Sequence, residues 1–245
     1  MLKEISSVFS FLTIIPSNNT DLGTVARHMH VFPIIGIAIG LLIASIGFGL
    51  SFFLEPLIVA LLVVASLAVI TGIHHTDGLA DFADGLMTRG TKERKRNAMK
   101  DLSTGSAGIV SVVLYVVGAI IALSLTTGYE LFQAILLSEI LAKFSMVLMA
   151  GIGNSAAVGS NSPFMQIMKD KRRLAVAGVI TIIPLVMIGG TTGLILFGAS
   201  IAVTLFLVGL STRSFGGITG DVMGAANELT RLSSLLIFVS LRLVL

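Results

Sequence analysis

Residues 31–53 read VFPIIGIAIGLLIASIGFGLSFF and carry no charged side chain. About 20 apolar residues in a helix cross the roughly 30 Å hydrocarbon core of a bilayer. Lipid offers no partner for backbone N–H and C=O groups, so such a run must satisfy them internally, as a helix. This stretch therefore predicts a first membrane span.

Working outward, six further runs follow. The second span is 56–73, set off by Glu55-Pro56, and the third and fourth are 106–126 and 131–151. The fifth and sixth, 173–189 and 193–211, are divided by GGTTG. The last, 229–244, is the weakest, because Arg231 and Arg242 lie in it. Upstream, residues 4–15 read as an interfacial amphipathic helix, with no small-residue cleavage site of the kind a signal peptide carries.

The bulk composition agrees. Of 245 residues, 55% are hydrophobic and 12% charged, against about 25% charged in soluble domains. The predicted fold is all-α: a polytopic bundle of about seven transmembrane helices, embedded in membrane lipid, in one domain spanning residues 1–245. There is no cysteine, which removes disulfides, thiolate metal sites and cysteine nucleophiles. The net charge of +3 fits membrane topology better than nucleic-acid binding, because no aromatic residue interleaves the basic run. A homo-oligomer is compatible with the sequence, which does not determine the assembly state.

The cations are unevenly placed. Lys3 and Arg27 precede the first span; Arg89, Lys92, Arg94, Lys95, Arg96 and Lys100 lie between the second and third. Lys169, Lys171, Arg172 and Arg173 lie between the fourth and fifth, and Arg213 and Arg231 flank the loop between the sixth and seventh. The opposite loops, around Glu55, Glu130 and GGTTG, hold no Lys or Arg. The positive-inside rule then puts the N-terminus and all the basic loops in the cytoplasm, across a cell membrane.

Acid gathers on the same side. In HHTDGLADFADGL, residues 74–86, Asp77, Asp81 and Asp84 stand at i, i+4 and i+7, one face of a helix. Three carboxylates on one stripe repel each other unless a cation joins them. Mg²⁺ is the natural partner, since it takes oxygen ligands and keeps waters and substrate phosphates. For a single Asp, pairing with the neighbouring basic run would suffice as an explanation. His74 and His75 read as hydrogen-bonding groups near a helix end.

A second acidic group sits in RSFGGITGDVMGAANELTR, residues 213–231. Asp221 lies among glycines, with Asn227 and Glu228 after it. The glycines permit close helix packing, but acids in a membrane need a partner or a water-filled cavity. Between the two groups, MKDLSTGSAG (99–108) offers Asp101 to the acidic cluster. Ser103, Thr104, Gly105 and Ser106 could open the third span, with its first N–H groups available to phosphate. Lys143 lies one turn from Glu139 in the fourth span, the spacing of an ion pair. GIGNSAAVGSNSPF, 151–164, reads as a polar loop.

Two acidic clusters and basic loops at one face, with no thiol, point to a transferase acting on a diphosphate. The residues alone go no further. Asp77, Asp81, Asp84 and Asp221 are the catalytic candidates, with Asp101 joining the first three as metal ligands. His74, His75, Arg89, Ser103, Thr104, Gly105, Ser106, Arg213, Asn227 and Glu228 are the substrate-binding candidates.

FLTIIP (11–16), FPIIGIAIG (32–40), HHTDGLADFADGL, MKDLSTGSAG and GGITGDVMGAANE (216–228) occur in order over nearly the whole chain, and together they resemble the cobalamin synthase family. Its members are adenosylcobinamide-GDP ribazoletransferases. The resemblance implies a Mg²⁺-dependent membrane enzyme that joins α-ribazole, free or as its 5′-phosphate, to adenosylcobinamide-GDP and releases GMP. By position it implies that Asp77, Asp81 and Asp84 form the acidic motif, with Asp101 and Asp221 in the two later elements. DGLADFADG is also similar to the signature of CDP-alcohol phosphotransferases, which expel CMP, although the Ala-Arg of that signature is missing. An ion-coupled transporter would carry its acids at the bilayer midplane. A membrane prenyltransferase would line a long groove with aromatics, and this chain has no Trp and two Tyr.

Overall fold

The computed structural model describes residues 2–16, 21–157 and 162–242. In chain order the helices are α1 (Leu2–Leu12), α2 (Leu22–Arg27), α3 (Phe32–Leu50), α4 (Pro56–Thr71), α5 (His74–Met87), α6 (Lys92–Ala98), α7 (Ser106–Ser124), α8 (Gly128–Ile152), α9 (Ser162–Met168), α10 (Lys171–Phe215) and α11 (Gly220–Arg242). A single 3₁₀ turn, Met29–Val31, leads into α3. The described residues contain no strand, only an isolated bridge between Ser155 and Ile218.

Proline opens both α3 and α4, in the first turn where its missing N–H costs nothing. α8 is the axis of the bundle. It is buried almost continuously from Leu131 to Ala150, with α3, α10 and α11 packed around it. Gly36 and Gly40 let α3 approach closely. A Cβ on Gly36 would stand 2.9 Å from the Glu139 carbonyl oxygen, and one on Gly40 2.9 Å from the Leu136 side chain. In lipid, small residues at such a seam give backbone-close packing that larger ones forbid.

A straight helix of the 45 residues of α10 would be about 68 Å long, more than twice a bilayer core. It is not straight: Gly190 has φ 53° and ψ −129°. A Cβ on Gly193 would collide with the Leu185 carbonyl oxygen, which a straight helix would hold about 12 Å away. The chain therefore doubles back at the predicted GGTTG. Both ends of α10 meet the basic loops, through Arg173 beside His30 (3.4 Å) and through the Phe215 carbonyl, which accepts from Arg96 Nη1 at 2.7 Å. Near the bend, Gln133 Nε2 donates to the Ile188 carbonyl at 2.7 Å.

Five helices are long and apolar enough to cross a membrane, and α4 with α5 makes a sixth, broken candidate bent by 92°. That count takes α10 once. Counting its two arms separately gives seven apolar segments, the number read from the sequence. The seventh begins nine residues earlier than expected, at Gly220, and residues 243–244 of the predicted span lie outside the described residues. Its arginines are both paired. Arg242 meets Glu130 at the face opposite the basic loops, so α11 traverses the bundle.

Three departures from the predicted elements follow from local chemistry. α5 does not continue the second span. Gly72 and Ile73 both have φ 64°, a left-handed conformation that glycine takes freely and that costs a β-branched residue about 1–2 kcal/mol. The corner swings the aspartates across the end of the bundle. α1 spans Leu2–Leu12 and is more than an interfacial helix, because Val8 and Leu12 are buried in the core. The predicted loop 151–164 ends in α9, with Gly153–Ala157 beside Ile218 and residues 158–161 outside the described residues.

Candidate active site

The site is built on the seam between α5 and α11. Gly78 and Gly224 face each other there. A Cβ on Gly78 would stand 3.1 Å from the Cα of Asp221 and 3.3 Å from that of Gly224, and a Cβ on Gly224 3.2 Å from the His75 carbonyl oxygen. The two helices touch backbone to backbone, which sets Asp221, in the first turn of α11, beside Asp77 and Asp81. Asp77 is exposed and Asp81 half-buried. That burial, and then the carboxylates of Asp77, Asp221 and Asp84, push the Asp81 carboxyl up to about 6. Among the described residues no Lys or Arg forms a salt bridge with Asp77, Asp81 or Asp221. The cluster is thus negative charge that no ion pair among the described residues neutralises.

Asp84 is used differently. Its Oδ2 accepts from the Gly105 N–H at 2.6 Å and its Oδ1 from the Gly108 N–H at 2.8 Å. It caps α7 from 21 residues upstream, and both glycines are required, since a Cβ on either would stand within 2.6 Å of the carboxylate. Of the amides expected to be open to phosphate at that helix start, those of Gly105 and Gly108 are already taken. Asp101 is exposed and turned onto its own loop, accepting from the Ser103 N–H at 3.0 Å. Ser103 and Ser106 are exposed. Thr104 lines a cavity of about 350 Å³ between α5 and α7, together with Thr76, Asp77 and Gly108.

The basic run is partly structural. Lys95 Nζ donates to the Leu86 carbonyl at 2.7 Å and Arg96 to that of Phe215, so two cations close the C-termini of α5 and α10. Arg89 and Arg213 are exposed at the same face. Lys100, absent from the sequence candidates for substrate binding, lies within electrostatic reach of Asp221 and is exposed. Met99, buried against Gly85 of α5, anchors it there. A basic residue beside an aspartate in a loop carries no sequence signal of its own; only the fold brings Lys100 to Asp221.

Asn227 and Glu228 do not reach the acidic cluster. Both sit nearly two turns deeper in α11, at 0% and 1% exposure, in a buried network. Lys143 Nζ lies 2.8 Å from Glu139 Oε1, the predicted ion pair, and donates to Asn227 Oδ1 at 2.8 Å. Arg231 Nη2 lies 2.7 Å from Glu139 Oε2, and its Nη1 donates to Tyr115 OH at 2.8 Å and also pairs with Glu228. Two acids and two bases thus tie α7, α8 and α11 together directly behind the seam. His75 is buried beside them, while His74 is exposed. Both line a second cavity, of about 500 Å³, on the other side of the seam.

A polytopic helical membrane protein whose unneutralised carboxylates converge at the face that also carries its exposed cations has the equipment of a membrane enzyme acting on an anionic substrate. The chain belongs to the cobalamin-5-phosphate synthase family, whose model matches residues 4–239, and it is a transferase. It is 36% identical to the adenosylcobinamide-GDP ribazoletransferase of Archaeoglobus fulgidus, with 96% of each chain covered. It is 32% identical to the protein of that name from Methanocella arvoryzae, over 96% of this chain and 94% of the relative. The Pyrococcus abyssi protein of that name is 33% identical, over 94% and 95%. No solved structure gave a significant match.

Proposed function

We propose that this chain joins α-ribazole, or its 5′-phosphate, to adenosylcobinamide-GDP and releases GMP, at the cytoplasmic face of the cell membrane. Family membership across residues 4–239 carries this reading, and the α5–α11 seam supplies a place for it. A ribazole hydroxyl oxygen bonds to the phosphorus attached to cobinamide. The phosphoanhydride bond to GMP breaks, its electron pair leaves with GMP, and a carboxylate of the cluster takes the hydroxyl proton. Lys100, with Arg89 and Arg213 at the same face, would grip phosphate oxygens.

Mg²⁺ fits the donor set. Asp77, Asp81 and Asp221 are oxygen donors that form no salt bridge among the described residues, and the ion would neutralise the diphosphate and the leaving group. Among the described residues no three His, Asp or Glu side chains form a closed metal site. Mg²⁺ tolerates this, since it commonly keeps waters and substrate oxygens with one or two carboxylates. Asp84 and Asp101 are committed to backbone amides and serve the site by shaping it. The sidedness rests on the positive-inside rule, because the seam opens on the face of the basic loops.

The test is to identify the nucleotide released. Purified protein in detergent with Mg²⁺ is given α-ribazole and adenosylcobinamide-GDP, and separately a CDP-activated alcohol. GMP from the first and nothing from the second is expected. CMP from the second would move the chain to phospholipid synthesis, and no release from either would refute the transferase chemistry.

A further inference from the structure

The 500 Å³ cavity is walled by Phe11 of α1, Phe164 of α9, Met146 of α8 and Met223 of α11, with His75 and Gly220 at the seam. Phe11 and Phe164 stack with ring centroids 5.8 Å apart and planes 28° apart, presenting an aromatic surface. Methionines opposite are polarisable and pack well against rings. His75 is 7% exposed and its Nδ1 has no hydrogen-bond partner. A buried polar atom left in that condition is costly, so a ligand that satisfies it gains affinity.

On the basis of the function proposed above, we infer that this cavity is the site of the ribazole base, with the His75 ring turning to present Nδ1 as donor to its one unsubstituted ring nitrogen. The chemistry discriminates among the parts of the two substrates. A benzimidazole is planar and apolar except for that single acceptor, and the cavity offers aromatic and thioether walls and, at the seam, a histidine whose Nδ1 lacks a partner. Guanine presents O6, N1–H and an amino group, most of which these walls would leave unpaired. A corrin ring with its amide side chains exceeds the volume, which is of the size that takes a small aromatic ligand. The direction is also right. Gly220 precedes Asp221, so a base held here would send its ribose along the start of α11 to Asp221, Asp77 and Asp81.

The test uses the full-length protein in detergent and two variants. His75→Phe keeps a planar ring and removes the donor. Ser10→Leu fills the cavity from α1 without touching His75. Binding of α-ribazole alone is measured by equilibrium dialysis, with guanosine as competitor, and KM is measured for each substrate. The expected result is a tenfold or larger rise in both Kd and KM for α-ribazole in each variant. KM for adenosylcobinamide-GDP stays within twofold, and guanosine does not compete with α-ribazole in the unmodified protein. His75→Asn, which retains a donor, should recover part of the loss. Unchanged α-ribazole binding in both variants, a rise confined to adenosylcobinamide-GDP, or effective competition by guanosine would each overturn the assignment. A protein that binds α-ribazole in this cavity yet releases no GMP would refute the proposed function and leave the base site standing.

Discussion

Asp77, Asp81 and Asp84 share one helical stripe, but the structure divides their work. The i, i+4, i+7 spacing was legible; that Asp84 caps a helix more than 20 residues away was not, because capping and ligation ask for the same side chain. The substitutions should separate the two roles. Asp77→Asn and Asp81→Asn should leave thermal unfolding in detergent near that of the parent and lower turnover at saturating Mg²⁺ about a thousandfold or more, the loss expected when a diphosphate site forfeits a ligand. Asp84→Ala strips two amides of their partner and should cost about 1–3 kcal/mol of stability, seen as a lowered Tm. An Asp84→Ala protein with unchanged Tm would deny the cap. Lys100→Ala should raise KM for adenosylcobinamide-GDP with little effect on that for α-ribazole; equal KM values to those of the parent would remove Lys100 from the phosphate site.

Among the elements, the seam between α5 and α11 is the most exacting. Gly78 meets the backbone of Asp221, so Gly78→Val must drive the helices apart. Activity should fall by at least a hundredfold while circular dichroism retains its helical signal. Full activity in that variant would mean that the seam is not the site. The apolar spans could be read from the chain because lipid leaves the backbone no alternative to helix. The reversal within α10 was readable from GGTTG. The corner at Gly72-Ile73 was not, since isoleucine is a poor residue for positive φ and nothing in the sequence announces it. The placement of Asn227 and Glu228 was also hidden. Their partners Lys143, Glu139 and Tyr115 come from two other helices, and a one-dimensional pattern cannot choose between a ligand and a buried counter-charge. Arg231→Met should therefore destabilise strongly, by about 3–5 kcal/mol, because it strands the buried Glu228 without its cation and leaves Glu139 with Lys143 alone.

For the whole molecule, the uneven cations and the bundle of apolar helices make one picture, with the acidic seam and the basic loops at one face and the Glu130–Arg242 pair at the other. The chain has no cysteine, so single cysteines at Lys95 and Gly128 report topology cleanly. They should label from opposite sides of a sealed vesicle; labelling from the same side would break the topology. The central claim is that acids from two distant parts of the chain form one active site. It is tested most directly by the rate of GMP release from adenosylcobinamide-GDP in a folded Asp221→Asn protein. A loss comparable to that of Asp77→Asn, about a thousandfold, is predicted. Release at the rate of the unmodified protein would reduce Asp221 to a packing residue and contradict the shared site.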